Sequence, residues 1–114
     1  MKKNIIQEKS FEFALEVIRL YKQLKNQNEH VISKQLLRSG TSIGANVEEA
    51  IGAQSKKDFI NKMSVAYKES RETHYWLRLI KESNLPDGDF NKYLEKAEEL
   101  NKIISSILKT SKEN

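Results

Sequence analysis

Apolar residues recur at every third or fourth position along most of the chain, which is the spacing of one face of an α-helix. The first such segment predicts a helix over residues 8–27. Its core stripe is expected to comprise Phe11, Ala14, Leu15 and Ile18, widened by Phe13, Val17, Leu20 and Leu24. The polar stretch KNQNEH at 25–30 lacks this spacing and is rich in turn formers, so it is predicted to be the first connection.

The same spacing predicts three more helices, over residues 31–52, 56–84 and 89–110. In the second helix the expected core stripe is Ile32, Leu36, Gly40, Ile43, Val47, Ala50 and Ile51. In the third it is Phe59, Met63, Ala66, Ser70 and Leu77, as far as Ile80. In the fourth it is Phe90, Tyr93, Leu94, Ala97, Leu100, Ile104 and Leu108.

Local signals set the predicted helix ends. Gly52 is a plausible C-terminal cap for the second helix. The Ser55 hydroxyl can accept a hydrogen bond from an early backbone amide of the third helix. Proline and glycine break the chain at NLPDGD (84–89), where Asp87 or Asp89 can cap the fourth helix.

Four long helices with short connections, and no strand-like alternation, predict an all-α fold. We expect an up-down-up-down antiparallel four-helix bundle that forms a single domain over residues 1–114. The chain has no cysteine, which excludes disulfides and thiolate metal sites. No segment approaches the ~18 apolar residues of a membrane span, and the basic start lacks the apolar run of a signal peptide. A cytoplasmic protein without a membrane partner is therefore expected.

The second helix lacks the charged face of an ordinary bundle helix. No charged residue occurs between Ser39 and Val47. The side opposite its core stripe consists of Arg38, Thr41, Ser42, Ala45 and Glu49. Small residues on this side would let another backbone approach closely. Gly40 and Gly44 share a flank, and because each glycine costs up to ~1 kcal/mol in a helix, they suggest a compensating gain in packing.

The third helix also carries a second stripe opposite its core. It consists of Val65, Glu72, Trp76 and Leu79, flanked by Tyr75. Tryptophan and leucine exposed in one patch usually indicate a partner. We therefore predict an oligomer interface made of Arg38, Thr41, Ser42, Ala45, Glu49, Val65, Glu72, Trp76 and Leu79. Arg38, Glu49 and Glu72 are its candidate paired charges. The alternative is a monomeric bundle with scattered exposed apolar residues, which is common.

Two segments carry a family resemblance. QLLRSGTSIGANVEEA (Gln35–Ala50) and SKKDFINKMSVAYKESRETHYWLRLI (Ser55–Ile80) closely resemble the four-helix-bundle proteins encoded in intervening sequences of bacterial 23S rRNA genes. Asn46 and Glu49 match the end of that family's small-residue second helix. The resemblance implies a small helical bundle that assembles as a cytosolic homopentameric ring. Such proteins are also similar to the accessory protein of diversity-generating retroelements, which implies nucleic acid or a nucleic-acid-processing protein as a partner.

The sequence predicts no enzyme, cofactor or metal site. Gly40 and Gly44 are three residues apart and no Lys-Ser/Thr pair follows, unlike a phosphate-binding loop. His30 and His74 lie on different segments, and no Glu-x-x-His pair of a di-iron bundle occurs. Ser39 and Ser42 lack a nearby histidine base and a nucleophile elbow.

Basic residues remain as the lead to function. The net charge is +4, and the excess lies in residues 1–29 and 55–84 rather than in the last segment. Repeated in a ring, a modest basic patch would follow phosphates without reading bases. The predicted contacts to structured RNA or another nucleic acid are Lys56, Lys57, Lys62 and Arg71. Two alternatives stay open: these charges form an ordinary solvated surface, or the protein is an interaction scaffold that binds no nucleic acid.

Overall fold

The computed structural model describes residues 4–83 and 88–113. Four α-helices account for most of them, and no strand occurs within these two ranges. The helices are α1 (Ile5–Asn26), α2 (Ile32–Ile51), α3 (Lys56–Ser83) and α4 (Asn91–Glu113). The all-helical fold predicted from the spacing of apolar residues is confirmed.

Hydrogen bonds to side chains fix all four helix starts. Ser55 Oγ accepts from the Asp58 amide at 3.0 Å, as predicted, and Asp89 Oδ1 accepts from the Asn91 amide at 3.0 Å. Asp87, the other candidate cap, lies outside the described residues. Helix α1 begins earlier than expected because Asn4 Oδ1 accepts from the Gln7 amide at 3.0 Å.

The start of α2 uses a residue that the sequence pattern placed in the connection. Its N-cap position, Val31, offers no side-chain acceptor. Instead the Glu29 carboxylate accepts from the Ile32 amide at 3.1 Å and from the Ser33 amide at 2.6 Å. A carboxylate is well placed here because the helix N-terminus carries partial positive charge.

The buried face of α1 is not the predicted one. Phe11 is 62% exposed and Leu15 is 40% exposed, so the stripe expected in the core faces outward. The buried stripe is the one expected only to widen it, extended towards the N-terminus: Ile6, Ser10, Phe13, Val17, Leu20 and Leu24. In α2 the prediction fails only at Ile51, which is 43% exposed because it lies at the helix end. The predicted core stripes of α3 and α4 are confirmed, with Phe59 and Leu94 half-buried.

Two glycines let α2 lie close to α1. A Cβ on Gly40 would lie 2.8 Å from both Cγ atoms of Val17, and a Cβ on Gly44 would lie 3.3 Å from the Ser10 carbonyl oxygen. These contacts explain why α2 tolerates residues that weaken an isolated helix. The flank that they share faces α1 of the same chain.

Each helix packs on the next along the chain, and α1 also contacts α4. The molecule therefore has four sides, each formed by two neighbouring helices: α1–α2, α2–α3, α3–α4 and α4–α1. On the α4–α1 side, Lys9 pairs with Glu99 at 3.2 Å and Lys96 pairs with Glu16. Over the described residues no helix is long and apolar enough to cross a membrane.

Candidate functional site

The predicted interface residues of α2 and α3 lie on the same side of the molecule. Arg38 joins the two helices, since its guanidinium donates to Glu69 Oε2 at 3.2 Å and also to Glu72. The indole of Trp76 donates to the same Glu72 Oε2 at 2.9 Å. The hydrogen bond to Glu72, aided by the charge of Glu69, raises the pKa of Arg38. The predicted interface surface is called the α2–α3 face below. It comprises Arg38, Thr41, Ser42, Ala45 and Glu49 of α2 together with Val65, Glu72, Trp76 and Leu79 of α3.

The charges predicted to pair between subunits already pair within one chain. Lys62 Nζ lies 3.0 Å from Glu49 Oε1, while Arg38 is held by Glu69 and Glu72. The hydrogen bond to Glu49 raises the pKa of Lys62. The Lys62 contribution to stability is therefore present at neutral pH and is lost only as pH rises through this raised pKa. Glu69 had no part in the sequence prediction, because only the packing of α3 on α2 brings it to Arg38.

The hydroxyl groups of the α2–α3 face are bonded to their own helix. Ser42 Oγ donates to the Arg38 carbonyl oxygen at 2.6 Å, and Thr41 Oγ1 donates to the Leu37 carbonyl oxygen at 2.7 Å. Ala45, between them and the helix end, is exposed. The outer surface of α2 is therefore less polar than its composition suggests, and covering it would leave no hydroxyl donor unsatisfied.

Apolar side chains complete this face on α3. Val65 is 39% exposed and Leu79 is 36% exposed. Trp76 is half-buried and packs against the core, and the Tyr75 ring meets it edge-on with the centroids 5.2 Å apart. The two helices thus present a continuous surface of small and apolar groups around a fixed ion-pair cluster.

A second exposed apolar stripe lies on α1, where sequence reasoning placed it in the core. Phe11, Leu15 and half-buried Ile18 form it. Gln7 Nε2 donates to Glu48 Oε1 of α2 at 2.9 Å, and Phe11 follows Gln7 by four residues. Since residues four apart share a helix side, this stripe borders the α1–α2 side. We call it the α1 stripe.

The four predicted nucleic-acid contacts do not form one surface. Lys56 and Lys57 are exposed at the start of α3. Lys62 lies towards α2, where Glu49 holds it. Arg71 follows Lys62 by nine residues, which places it on the opposite side of α3, and it lines a cleft against α4.

Histidine and acidic side chains of the described residues do not gather into a metal site. Within residues 4–83 and 88–113, no group of three or more His, Cys, Asp or Glu side chains could hold a metal ion. His74 lies on α3, half-buried, with Nε2 3.1 Å from Glu98 Oε1. This contact joins α3 to α4.

Comparison with known proteins places the chain in a family. No curated protein matches it. A solved structure from Bacteroides thetaiotaomicron, described as a protein of unknown function from the S23 ribosomal protein family, is 48% identical to it. The match covers 91% of this chain and 98% of that chain, with a TM-score of 0.88. The family model described as 23S rRNA-intervening sequence protein matches residues 2–106. That model matches nearly the whole length of the chain and confirms the resemblance at Gln35–Ala50 and Ser55–Ile80. The chain therefore belongs to the 23S rRNA-intervening sequence protein family.

Proposed function

We propose that this protein acts by assembly and binding rather than by catalysis. Its four helices form an up-down-up-down antiparallel bundle, and copies of the bundle associate in a cytoplasmic homopentameric ring that binds structured RNA or another nucleic acid. The reversed order of contacts between α1 and α2 supports the antiparallel arrangement, since Gly40 meets Val17 whereas Gly44 meets Ser10. The observation that carries the assembly is the pair of exposed apolar surfaces, the α1 stripe and the α2–α3 face.

A ring with an odd number of copies needs two different contact surfaces on each copy. Neighbours in such a ring are not related by a two-fold axis, so each contact joins one patch to a different patch. The α1 stripe offers protruding side chains, chiefly Phe11 and Leu15. The α2–α3 face offers small residues around Ala45 that a protruding side chain can approach. In the proposed ring, the α1 stripe of each copy packs on the α2–α3 face of the next.

The proposed nucleic-acid binding is electrostatic. The chain carries a net charge of +4, and a ring repeats each basic surface around its circumference. Contacts between lysine or arginine and phosphates release counterions, so the affinity should fall steeply with salt. Measurable RNA binding at about 50 mM salt that weakens at higher salt is expected. Absent binding, or binding indifferent to salt, would contradict this part of the proposal.

Native mass spectrometry before and after ribonuclease treatment tests assembly and RNA binding together. Five copies should persist after treatment, and any mass of bound RNA should disappear. A lone chain at micromolar concentration would contradict the assembly. An intact pentamer with no RNA under either condition, and none bound on titration, would leave the assembly standing and remove the binding.

A protein scaffold is the second candidate, favoured because the four lysine and arginine residues predicted to contact nucleic acid do not form one surface. In this case the ring would hold a nucleic-acid-processing protein and contact no nucleic acid itself. Charge reversal at Lys56 and Lys57, both exposed, separates the two candidates. RNA retention should weaken under the first candidate, whereas a protein partner should stay attached under the second.

A further inference from the structure

We propose that the groove between α3 and α4 binds single-stranded nucleic acid, such as an unpaired segment of a structured RNA. This inference rests on the nucleic-acid part of the proposed function and gives that function a site. The groove differs from the contacts expected from sequence, of which it includes only Arg71.

Two clefts follow one another along this groove. One has a volume of about 390 Å³ and is lined by Arg71, His74, Tyr75, Arg78, Glu98, Asn101 and Lys102. The other has a volume of about 350 Å³ and is lined by Ser64, Tyr67, Lys68, Ser105, Leu108, Lys109 and Lys112. Their lining residues occupy successive turns of both helices. From Ser64 to Arg78 the groove follows α3 for roughly 20 Å, at 1.5 Å per residue.

The positive charge of this groove is largely uncompensated. Its cationic side chains are Lys68, Arg71, Arg78, Lys102, Lys109 and Lys112, and Glu98 is the single carboxylate lining either cleft. Among the described residues, only Arg78 of these six is in an ion pair, with Glu82 at 3.5 Å. Both members of that pair are highly exposed, so the pair binds weakly and can open.

Two other clefts have the opposite balance of charge. The cleft on the α4–α1 side has two lysines against three carboxylates, and both lysines are paired. The cleft along α4 that adjoins the groove has three glutamates and one lysine, and it shares Glu98 and Lys102 with the first cleft of the groove. A polyanion would therefore be attracted to the α3–α4 side and repelled by the acidic clefts. The excess of cations over carboxylates along the groove is the observation that carries the proposal.

Aromatic rings lie between the cations. Tyr75 is 53% exposed and lies four residues after Arg71 and three before Arg78, so the three share one side of α3. Tyr67 is half-buried and lines the second cleft. Bases stack on such rings without regard to sequence, while cations follow the backbone. Asn101 also lines the first cleft and adds a polar residue there.

The usual spacing of packed helices favours one strand over two in this groove. Neighbouring helices pack with their axes roughly 8–10 Å apart. A depression between them can take a single backbone with its bases turned onto the tyrosines. A duplex keeps its bases stacked inside, so it would lie across the helix ridges and gain nothing from the aromatic rings.

Fluorescence anisotropy with three labelled probes tests the class of ligand. The probes are an oligo-uridylate of about ten nucleotides, an RNA duplex of the same length and poly-glutamate. The single strand should bind more tightly than the duplex at about 50 mM salt. Equal binding of both RNAs would overturn the single-strand proposal while leaving nucleic-acid binding intact. Binding of poly-glutamate alone would point to an acidic protein partner instead. If none of the three binds, the proposed nucleic-acid function fails with it.

A matched pair of variants locates the site. Lys68→Gln with Arg71→Gln removes one lysine and one arginine, three residues apart, from the groove. Arg19→Gln with Lys22→Gln makes the same change at the same spacing on exposed positions of α1. The groove variant should bind oligo-uridylate at least ~10-fold more weakly and lower the salt slope by about 1.4, from 0.7 for each lost phosphate contact. The α1 variant should lose much less.

Equal losses in both variants would show diffuse attraction and overturn the groove, although RNA binding itself would stand. Sedimentation of both variants checks that the assembly is unchanged.

Tyr75→Phe and Tyr75→Ala then test stacking at the exposed ring. Phenylalanine should retain binding and alanine should weaken it about 5-fold or more, within the ~1–3 kcal/mol measured for base–aromatic stacking. Equal affinities for these two variants would rule out stacking on Tyr75.

Discussion

At the scale of single residues, contact distances decide what the sequence pattern left open. Gly40 and Gly44 suggested close packing, and the structure shows that the partner is α1 of the same chain. Capping by Ser55 and Asp89 was predictable because such signals act within one turn of the backbone. The pairing of Arg38 with Glu69 was not predictable, because it depends on how two helices meet.

Gly40→Ala should destabilise the fold by about 1–2 kcal/mol. The added methyl would lie 2.8 Å from two carbons of buried Val17, and the overpacking should exceed the gain of up to ~1 kcal/mol in helix propensity. Urea unfolding measures the difference. Gly52→Ala is the control, because its new methyl would meet its nearest atom at 3.8 Å.

A double variant shows whether the contact itself is responsible. Val17→Ala leaves a space that the methyl of Gly40→Ala can enter, so the two changes together should cost less than the sum of each alone. Strictly additive losses would place the effect of Gly40→Ala elsewhere.

At the scale of helices, α1 shows the limit of reading apolar spacing. It carries two apolar stripes, and the one that is buried includes Ser10, which looks polar in the sequence. Ser10 is needed there because Gly44 packs against it, and its hydroxyl donates to the Gln7 carbonyl oxygen at 3.2 Å. The spacing gives the angle between two stripes but not which one faces the core. Helices α3 and α4 were predicted well because each has one dominant stripe.

Phe11→Ala and Phe13→Ala should therefore differ sharply, although they lie two residues apart. Phe13 is 2% exposed, so its truncation should cost ~3–5 kcal/mol. Phe11 is 62% exposed, so its truncation should cost less than ~0.5 kcal/mol in the separated chain. Urea unfolding at high dilution measures both. At higher concentration, Phe11→Ala should weaken self-association, and unchanged association would count against a role for the α1 stripe.

Ala45→Arg should dissociate the assembly and leave a helical chain. Ala45 is exposed in the single chain, so the substitution strains nothing inside the bundle, whereas a long charged side chain cannot enter a close contact between copies. Circular dichroism follows the helix content, and sedimentation velocity follows the mass. Ser106→Arg, at an exposed position of α4, is the matched control and should stay assembled. An intact pentamer in Ala45→Arg would contradict the assigned interface.

At the scale of the whole molecule, the sides of the bundle differ more than the chain segments do. Counting charges along the sequence made the last segment look unsuited to a polyanion. Packing separates its charges by side, so that Lys102, Lys109 and Lys112 all line the α3–α4 groove. The all-helical fold could be predicted because it depends on spacing within each helix. The groove could not, because it depends on which faces of two helices become neighbours.

Small-angle scattering should separate the single bundle from the assembly. One chain has a Cα radius of gyration of 14.6 Å and extents of 46 × 24 × 21 Å. Ala45→Arg should scatter as an elongated particle close to this size, and the unmodified protein as a much larger one. Identical curves for the two proteins would contradict either the assembly or the position of its interface.

The back-bonded hydroxyls of Thr41 and Ser42 have a consequence for the lifetime of a complex on the α2–α3 face. Their protons are already donated to the backbone of α2, so docking on this face breaks no hydrogen bond that either hydroxyl donates to water. Replacing Ser42 with aspartate would supply a carboxylate, which accepts hydrogen bonds but cannot donate one to the Arg38 carbonyl oxygen as the Ser42 hydroxyl does. Bound water would then compete with the neighbouring copy, and subunits should exchange between rings faster.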